Sequence, residues 1–334
     1  MLFSHQKKIA LGLAERFEYS YIVSAQGQDS ATLPQLKIQC TNWVNGSKLL
    51  STIRFLRATI PILIRQRGQL VVFSHMTEVQ SALIAPLTKI LRIPHFLWYA
   101  HAKKSLFLRF SWRFLTGILT STSGSCPVKG EKVHYIGQAV DHKMFSLPLG
   151  EADNPPLRWY NIGRIDPSKK LELILKSLLI LRNRGWQITF DIYGAPSSAV
   201  HSKYFNEITE LCSTPNYSSW AKLHGPIRSN LIAETTHGHD GFVHAFDGSL
   251  DKTLIEAMMQ RKVVVSTNLE FIRLFGNNEN SHDLKLDLAD LIQRALNSPK
   301  EIQAEIISQR YKECVQNHSL ESWLRKAEEL LKSC

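Results

Sequence analysis

Apolar residues along this chain gather in short β-branched or aromatic runs, separated by longer stretches of helical period. Tyr21-Ile22-Val23, Leu70-Val71-Val72-Phe73 and His95-Phe96-Leu97-Trp98-Tyr99 read as buried strands of a parallel sheet, the last entered through Pro94. Helical patterns fill the intervals over 6–16, 48–67 and 77–91, and Pro61 predicts a kink or a split in the second of these. Val133-His134-Tyr135-Ile136 is a late strand of the same series.

Residues 147–156 break the pattern. They are rich in Pro, Gly and polar side chains, carry no periodicity, and read as a linker. A second alternating series follows: strand 158–162, helix 169–184, strand 188–193, helix 201–212, further units through Val265, and helical segments over 286–332. Strands alternating with helices on both sides of a linker predict two doubly wound α/β domains facing a cleft, over 1–146 and 157–334, with the last helix free to pack back on the first domain. There is no solenoid repeat and no low-complexity tract.

Length agrees, since 334 residues exceed the size at which one core usually suffices. The five cysteines show neither paired nor metal-like spacing, which fits reduced thiols and a cytoplasmic setting. The N-terminal stretch from Met1 to Lys8 lacks the long apolar core of a secretory signal, and 81–100 is interrupted as a membrane span by Lys89, Arg92, His95 and two prolines.

Charge changes the picture more. Of the net +11, residues 1–150 carry +12, from 18 Lys and Arg against 6 Asp and Glu. The basic character belongs to the N-terminal half, which implies an anionic partner there or a bias toward solubility. Two segments, Lys48–Arg57 and Lys103–Leu115, mix Phe, Leu and Trp with Lys and Arg, as helices at an anionic membrane interface do, although a core-packed helix with solvated bases has the same pattern. A nucleic-acid partner is not expected, because the bases are interleaved with helical apolar positions and no nucleic-acid module is present.

The densest chemistry lies in Gly248-Ser249-Leu250-Asp251-Lys252, followed at once by Thr253-Leu254-Ile255-Glu256-Ala257-Met258. It reads as a glycine turn opening a helix, whose free N–H groups attract anions, with a carboxylate deeper in that can accept hydrogen bonds from sugar hydroxyls. On a wheel the apolar face is Leu250, Leu254 and Met258. Glu256 lies off it, four residues after Lys252, so a surface Lys–Glu pair is the competing account. Gly163-Arg164 ends a predicted strand, and Lys169 follows five residues later. Arg plus Lys at the carboxyl end of a strand suits a diphosphate, while a solvated pair beside a turn is the plain alternative. Tyr193-Gly194 and His224-Gly225 end two more strands with Gly turns, and His224 reads as structural. His101 follows the 95–99 strand toward the expected cleft. His75, with Ser74 and Glu78, is a weaker candidate of the same kind.

In their order and spacing these motifs resemble the family 4 glycosyltransferases, retaining, metal-independent enzymes built of two Rossmann-like domains (the GT-B fold). The resemblance spans most of the chain and is strongest over 159–268. Gly163-Arg164 with Lys169 is similar to the family's phosphate motif, and 248–258 is similar to its donor helix. Glu256 matches the second glutamate of the family's Glu-x7-Glu motif, the ribose ligand. Gly248 stands where the first would be, in a "GSLDK" form that looks like a sub-branch of polysaccharide-building members. The resemblance implies Arg164, Lys169 and His101 as catalytic residues. It implies Glu256, Gly248, Ser249, Leu250, Asp251, Lys252, Gly163, Gly194 and Gly225 around the donor. It further implies no cofactor and no metal, a nucleoside-diphosphate sugar as donor, and a hexosyl-type transfer to a saccharide or lipid-linked acceptor; the basic N-terminal half favours a lipid-linked acceptor at the inner membrane face. A nucleotide-sugar epimerase on the same fold and a non-catalytic nucleotide- or membrane-binding partner are the competing readings.

Overall fold

The computed structural model describes residues 4–25, 33–42, 46–145, 155–276 and 287–334. Most of the predicted linker, 147–154, and Leu286 lie outside the described residues. The chain divides into two compact units, 1–139 with 320–334, and 140–319.

In the first unit, β1 (Ser20–Ser24) and β2 (Leu36–Cys40) form a parallel pair. A second parallel sheet runs in the order β3 (Val72–His75), β4 (His95–Trp98), β5 (Gly117–Thr120), β6 (Val133–Tyr135). Its strand β4 shows why the run 96–99 is continuously apolar. Phe96 and Trp98 face one core with helices α1 (Ser4–Ala14) and α12 (Leu320–Lys332), while Leu97 and Tyr99 face another with Leu108, Leu115 and Ile118. Alternate side chains of a strand point to opposite faces, and both faces here are covered. Helices α2 (Lys48–Arg65), α3 (Glu78–Ile90) and α4 (Leu106–Ser111) complete the unit.

Three expectations shift. Helix α2 runs unbroken through Pro61, with Ala58, Thr59 and Leu63 buried on either side of it, so tertiary burial offsets the one ladder bond that proline removes. Strand β3 begins two residues later than predicted. Strand β1 extends the predicted Tyr21–Val23 by one residue at each end, while β2 and β5 come from segments not predicted as strands.

The second unit has a five-stranded, fully parallel sheet in the order β9 (Ala221–His224), β8 (Thr189–Pro196), β7 (Arg158–Ile165), β10 (Gly241–His244), β11 (Val263–Ser266). Helices α5 (Leu171–Asn183), α6 (Ser202–Ser213) and α10 (Leu288–Leu296) supply one core, around Trp159, Phe190, Ile192 and Val243. The short helix α7 (Ile232–Thr236), with α8 (Lys252–Met259), α9 (Leu269–Phe275) and α11 (Lys300–His318), supplies the other, around Tyr160, Phe242 and Val264. The chain steps outward from β7 through β8 to β9, then returns to add β10 and β11 on the other side. The strand order therefore reverses between β7 and β10, and in open α/β sheets ligands bind outside the carboxyl ends of the strands at that point.

Candidate functional site

The carboxyl ends of β7 and β10 carry most of the residues singled out in the second unit. After β7, Asp166 caps a 3-10 turn, Pro167–Lys169, by accepting from the Ser168 N–H at 3.0 Å. Lys170 takes a left-handed conformation (φ 51°), and α5 starts at Leu171, two residues later than the predicted helix. This turn aims Lys169 across the switch point. Its ammonium pairs with the Asp251 carboxylate and lies 4.3 Å from the centre of the Phe246 ring. The next lysine, Lys170, pairs with Asp247. Two consecutive lysines thus join the loop after β7 to the loop after β10.

Asp251 has three partners. It caps α8 through the Thr253 N–H at 3.2 Å, pairs with Lys169, and lies 3.4 Å from His244 Nε2. Burial opposes its ionisation, but the hydrogen bond from His244 and the charge of Lys169 outweigh burial and hold the carboxyl well below the usual range. His244, on β10, is buried, and burial pushes its pKa down, which favours the neutral imidazole. Donation from Nε2 to Asp251 leaves Nδ1 to accept from the Ser266 hydroxyl at 2.9 Å, and the Ser266 oxygen accepts in turn from the Asn268 N–H at 3.0 Å.

Asn268 holds the glycine loop. Fully buried, it donates through Nδ2 to the Phe246 carbonyl at 2.8 Å and the Gly248 carbonyl at 3.0 Å, and accepts from the Phe271 N–H as the cap of α9. Neither His244 nor Asn268 was a sequence candidate. Asn before an apolar run is an N-cap signal, but nothing in the spacing shows that its amide also reaches back twenty residues.

The remaining candidates divide. Arg164 is 63% exposed, 3.9 Å from Asp166, and leaves most of its guanidinium to solvent. Glu256 is 5% exposed and pairs with Lys252 at 2.8 Å. The Lys–Glu pair of the competing account exists, but its carboxylate is not at the surface: every residue of α8 from Leu254 to Met259 is buried. Leu250 is a core side chain and does not reach a ligand through it. Ser249 stands between the glycine turn and the cap. Gly163 has φ +155°, within the region glycine favours. A Cβ on Gly194 would stand 2.0 Å from the Gly163 carbonyl oxygen, so these two glycines let β7 and β8 pair closely. A Cβ on Gly248 would meet the Phe246 ring, whereas Gly225 faces open space. His224 stacks on Tyr193 at 4.7 Å and shares Asp191 with His239, at 2.6 and 3.0 Å. His101 lies in the first unit, exposed, edge-on to Tyr99 at 5.5 Å. Among the described residues no three His, Cys, Asp or Glu side chains gather in a way that could hold a metal ion.

Unit by unit, this is the GT-B fold, two Rossmann-like α/β domains. Similar solved structures include HepE of Anabaena in complex with UDP (15% identity, covering 99% of this chain and 96% of that one, TM-score 0.75). A glycosyltransferase of Rickettsia africae (15%, 99% and 95%, 0.71) and the N-terminal domain of a trehalose-6-phosphate phosphatase of Candida albicans (10%, 99% and 93%, 0.70) are also similar. These likenesses show the fold. No protein-family description matches the sequence, and no curated protein does.

Proposed function

We propose that this chain is a retaining glycosyltransferase that moves a sugar from a nucleoside-diphosphate sugar to a saccharide or lipid-linked saccharide acceptor, in the synthesis of a surface polysaccharide. The observation that carries the reading is the cluster of paired charges at the β7–β10 switch point. There Lys169, engaged by Asp251, keeps further N–H donors for an anion, and Arg164 stands exposed on the same strand end. HepE and a pneumococcal O-GlcNAc transferase were both crystallised with UDP, which makes UDP the first nucleotide to test.

In this reading the diphosphate lies against the Gly163–Lys169 turn and the loop at Gly248–Leu250, while Glu256 accepts from the ribose hydroxyls. As the bond to the anomeric carbon breaks, negative charge grows on the leaving phosphate. Arg164 and Lys169 offset it, in the place a metal ion takes elsewhere. The acceptor hydroxyl attacks from the face the phosphate is leaving, its proton passes to a phosphate oxygen, and the configuration is retained without a protein nucleophile. His101, from the first unit, is assigned to the donor sugar.

A second reading has a specific observation behind it. Gly248 replaces a glutamate of the resembled motif, and Asp251 already neutralises Lys169 and fills the N-cap of α8. A nucleotide-binding chain without turnover would tolerate both features. A thermal-shift panel of UDP, GDP, ADP and their sugars separates binding from none, because a ligand that binds only the folded state raises its melting point. Release of nucleoside diphosphate only when acceptor is added then identifies transfer. Conversion of the sugar nucleotide without acceptor would identify an epimerase.

A further inference from the structure

We propose that the exposed face formed by α3 and α4 docks on an anionic lipid bilayer, with Leu106, Phe107 and Phe110 entering the boundary of the acyl chains. Helix α4 buries Leu108 and Ser111, yet leaves Leu106 82%, Phe107 47% and Phe110 51% exposed. On α3, Leu83 and Ile90, seven residues apart, are exposed in the same way. A groove of about 300 Å³ lies between the two helices, lined only by Val79, Ala82, Leu83, Leu106, Phe107 and Phe110. Single exposed apolar residues are ordinary, but a contiguous group with its own groove marks a surface that something covers.

Charge indicates what covers it. From Val79 to Gly130 the sequence contains no Asp or Glu, while Lys89, Arg92, Lys103, Lys104, Arg109 and Arg113 are all exposed. An apolar patch with two Phe and a leucine, on a stretch of chain that after Glu78 carries these cations and no carboxylate up to Gly130, has the composition of a segment lying in an anionic interface. The presentation is fixed in advance. The Tyr99 hydroxyl donates to the Lys103 carbonyl at 2.6 Å, and Ser105 caps α4 through the Phe107 N–H at 3.1 Å. Among the described residues no helix is long and apolar enough to cross a membrane, so the contact would be a surface one. The inference rests on the first unit alone and adds to the proposed transferase the lipid surface at which it works.

Co-sedimentation of the full chain with vesicles tests it. Vesicles of phosphatidylcholine with phosphatidylglycerol should take up the protein about tenfold or more better than phosphatidylcholine alone, and added salt should reduce the difference. The triple variant Leu106→Ser, Phe107→Ser, Phe110→Ser and the double variant Lys103→Glu, Lys104→Glu should each lose most of that uptake. Their thermal melting should match the wild type, since all five side chains are exposed. Leu106→Glu alone serves if the triple variant misfolds. Uptake of the serine variant at the wild-type level overturns the proposal, as does loss in the charge variant only, which means attraction without insertion. A wild-type dimer that the serine variant dissolves, with no vesicle uptake, overturns it in favour of a second copy on this face. UDP-induced stabilisation is measured alongside. Its absence counts against the transferase reading and leaves vesicle uptake unaffected.

Discussion

Lys169 and Asp251, 82 residues apart in sequence, form an ion pair that joins the turn after β7 to the cap of α8. Both side chains are largely buried. The pair has two consequences. It holds the two loops of the switch point in register, and it leaves Lys169 oriented before any anion arrives. An incoming diphosphate would meet a lysine already fixed, so less side-chain entropy is lost on binding.

Asp251→Asn isolates the charge, because Asn is as good an N-cap as Asp. At pH 7 the variant should be less stable by roughly 2–3 kcal/mol, the cost of a lost charged hydrogen bond beside a largely buried lysine. The folded-state pKa of Asp251 is depressed, so its contribution is complete above the ordinary value of 3.8 and is lost as pH falls below it. Urea unfolding of wild type and variant from pH 7 to pH 2 should therefore give two curves that converge in acid. Parallel curves would show that the carboxylate contributes no charge-dependent stability.

The glycines are distinguishable by the space around them. Gly194→Ala puts a methyl group 2.0 Å from a backbone oxygen of the neighbouring strand. It should cost about 3 kcal/mol or more of stability, or prevent folding. Gly225→Ala meets nothing within 4 Å, so its melting temperature should match the wild type. In that variant a reduced UDP-induced thermal shift would report ligand contact directly, free of any effect on folding.

Much of this was legible in the order of residues. The unbroken apolar run at 96–99 announced a strand covered on both faces, and the alternation of strands and helices announced the α/β class. Other features were not legible, for physical reasons. Strands β5 and β10 each open on glycine and end on a polar residue, leaving two apolar positions, too few to separate them from loop. A helical wheel placed Glu256 off the apolar face of α8. It could not show that neighbouring elements cover the other face too. Lys169 with Asp251, and Asn268 with Phe246 and Gly248, are contacts between distant segments whose spacing carries no signal. Local pattern fixes which residues stand at strand ends, and only the topology brings two of those ends together.

Asn268→Ala removes the amide that ties the Phe246–Gly248 loop to the start of α9. The substitution leaves two carbonyls and the Phe271 N–H without that partner in a buried place. About 2–4 kcal/mol of stability should be lost. Asn268→Asp should restore the cap to Phe271, since a carboxylate accepts as well, but not the two bonds to carbonyls, which need a donor. At neutral pH the aspartate variant also sets an acceptor-only carboxylate oxygen against those two carbonyl oxygens in a fully buried place, so it should melt at or below the alanine variant despite the restored cap. Calorimetric melting of the three proteins checks the order wild type, Ala, Asp.

Arg164, Lys169 and Glu256 carry separate parts of the proposed reaction, and their variants should fail differently. Arg164 is exposed, so Arg164→Ala should fold normally and lose about 10²-fold in turnover, the usual effect of removing one donor from a developing oxyanion. Lys169→Ala should lose at least as much turnover and should also melt lower, because Asp251 keeps its charge without its cation. Glu256→Gln retains acceptor capacity through its amide oxygen but loses the charge that pairs with Lys252. It should weaken nucleotide binding about tenfold while sparing the chemical step, since the ribose bond is the same in the ground state and the transition state. Rate and binding measured on all three distinguish the roles. An Arg164→Ala enzyme turning over at the wild-type rate, with its UDP-induced thermal shift intact, would remove the guanidinium from the diphosphate site and leave Lys169 as its sole cation.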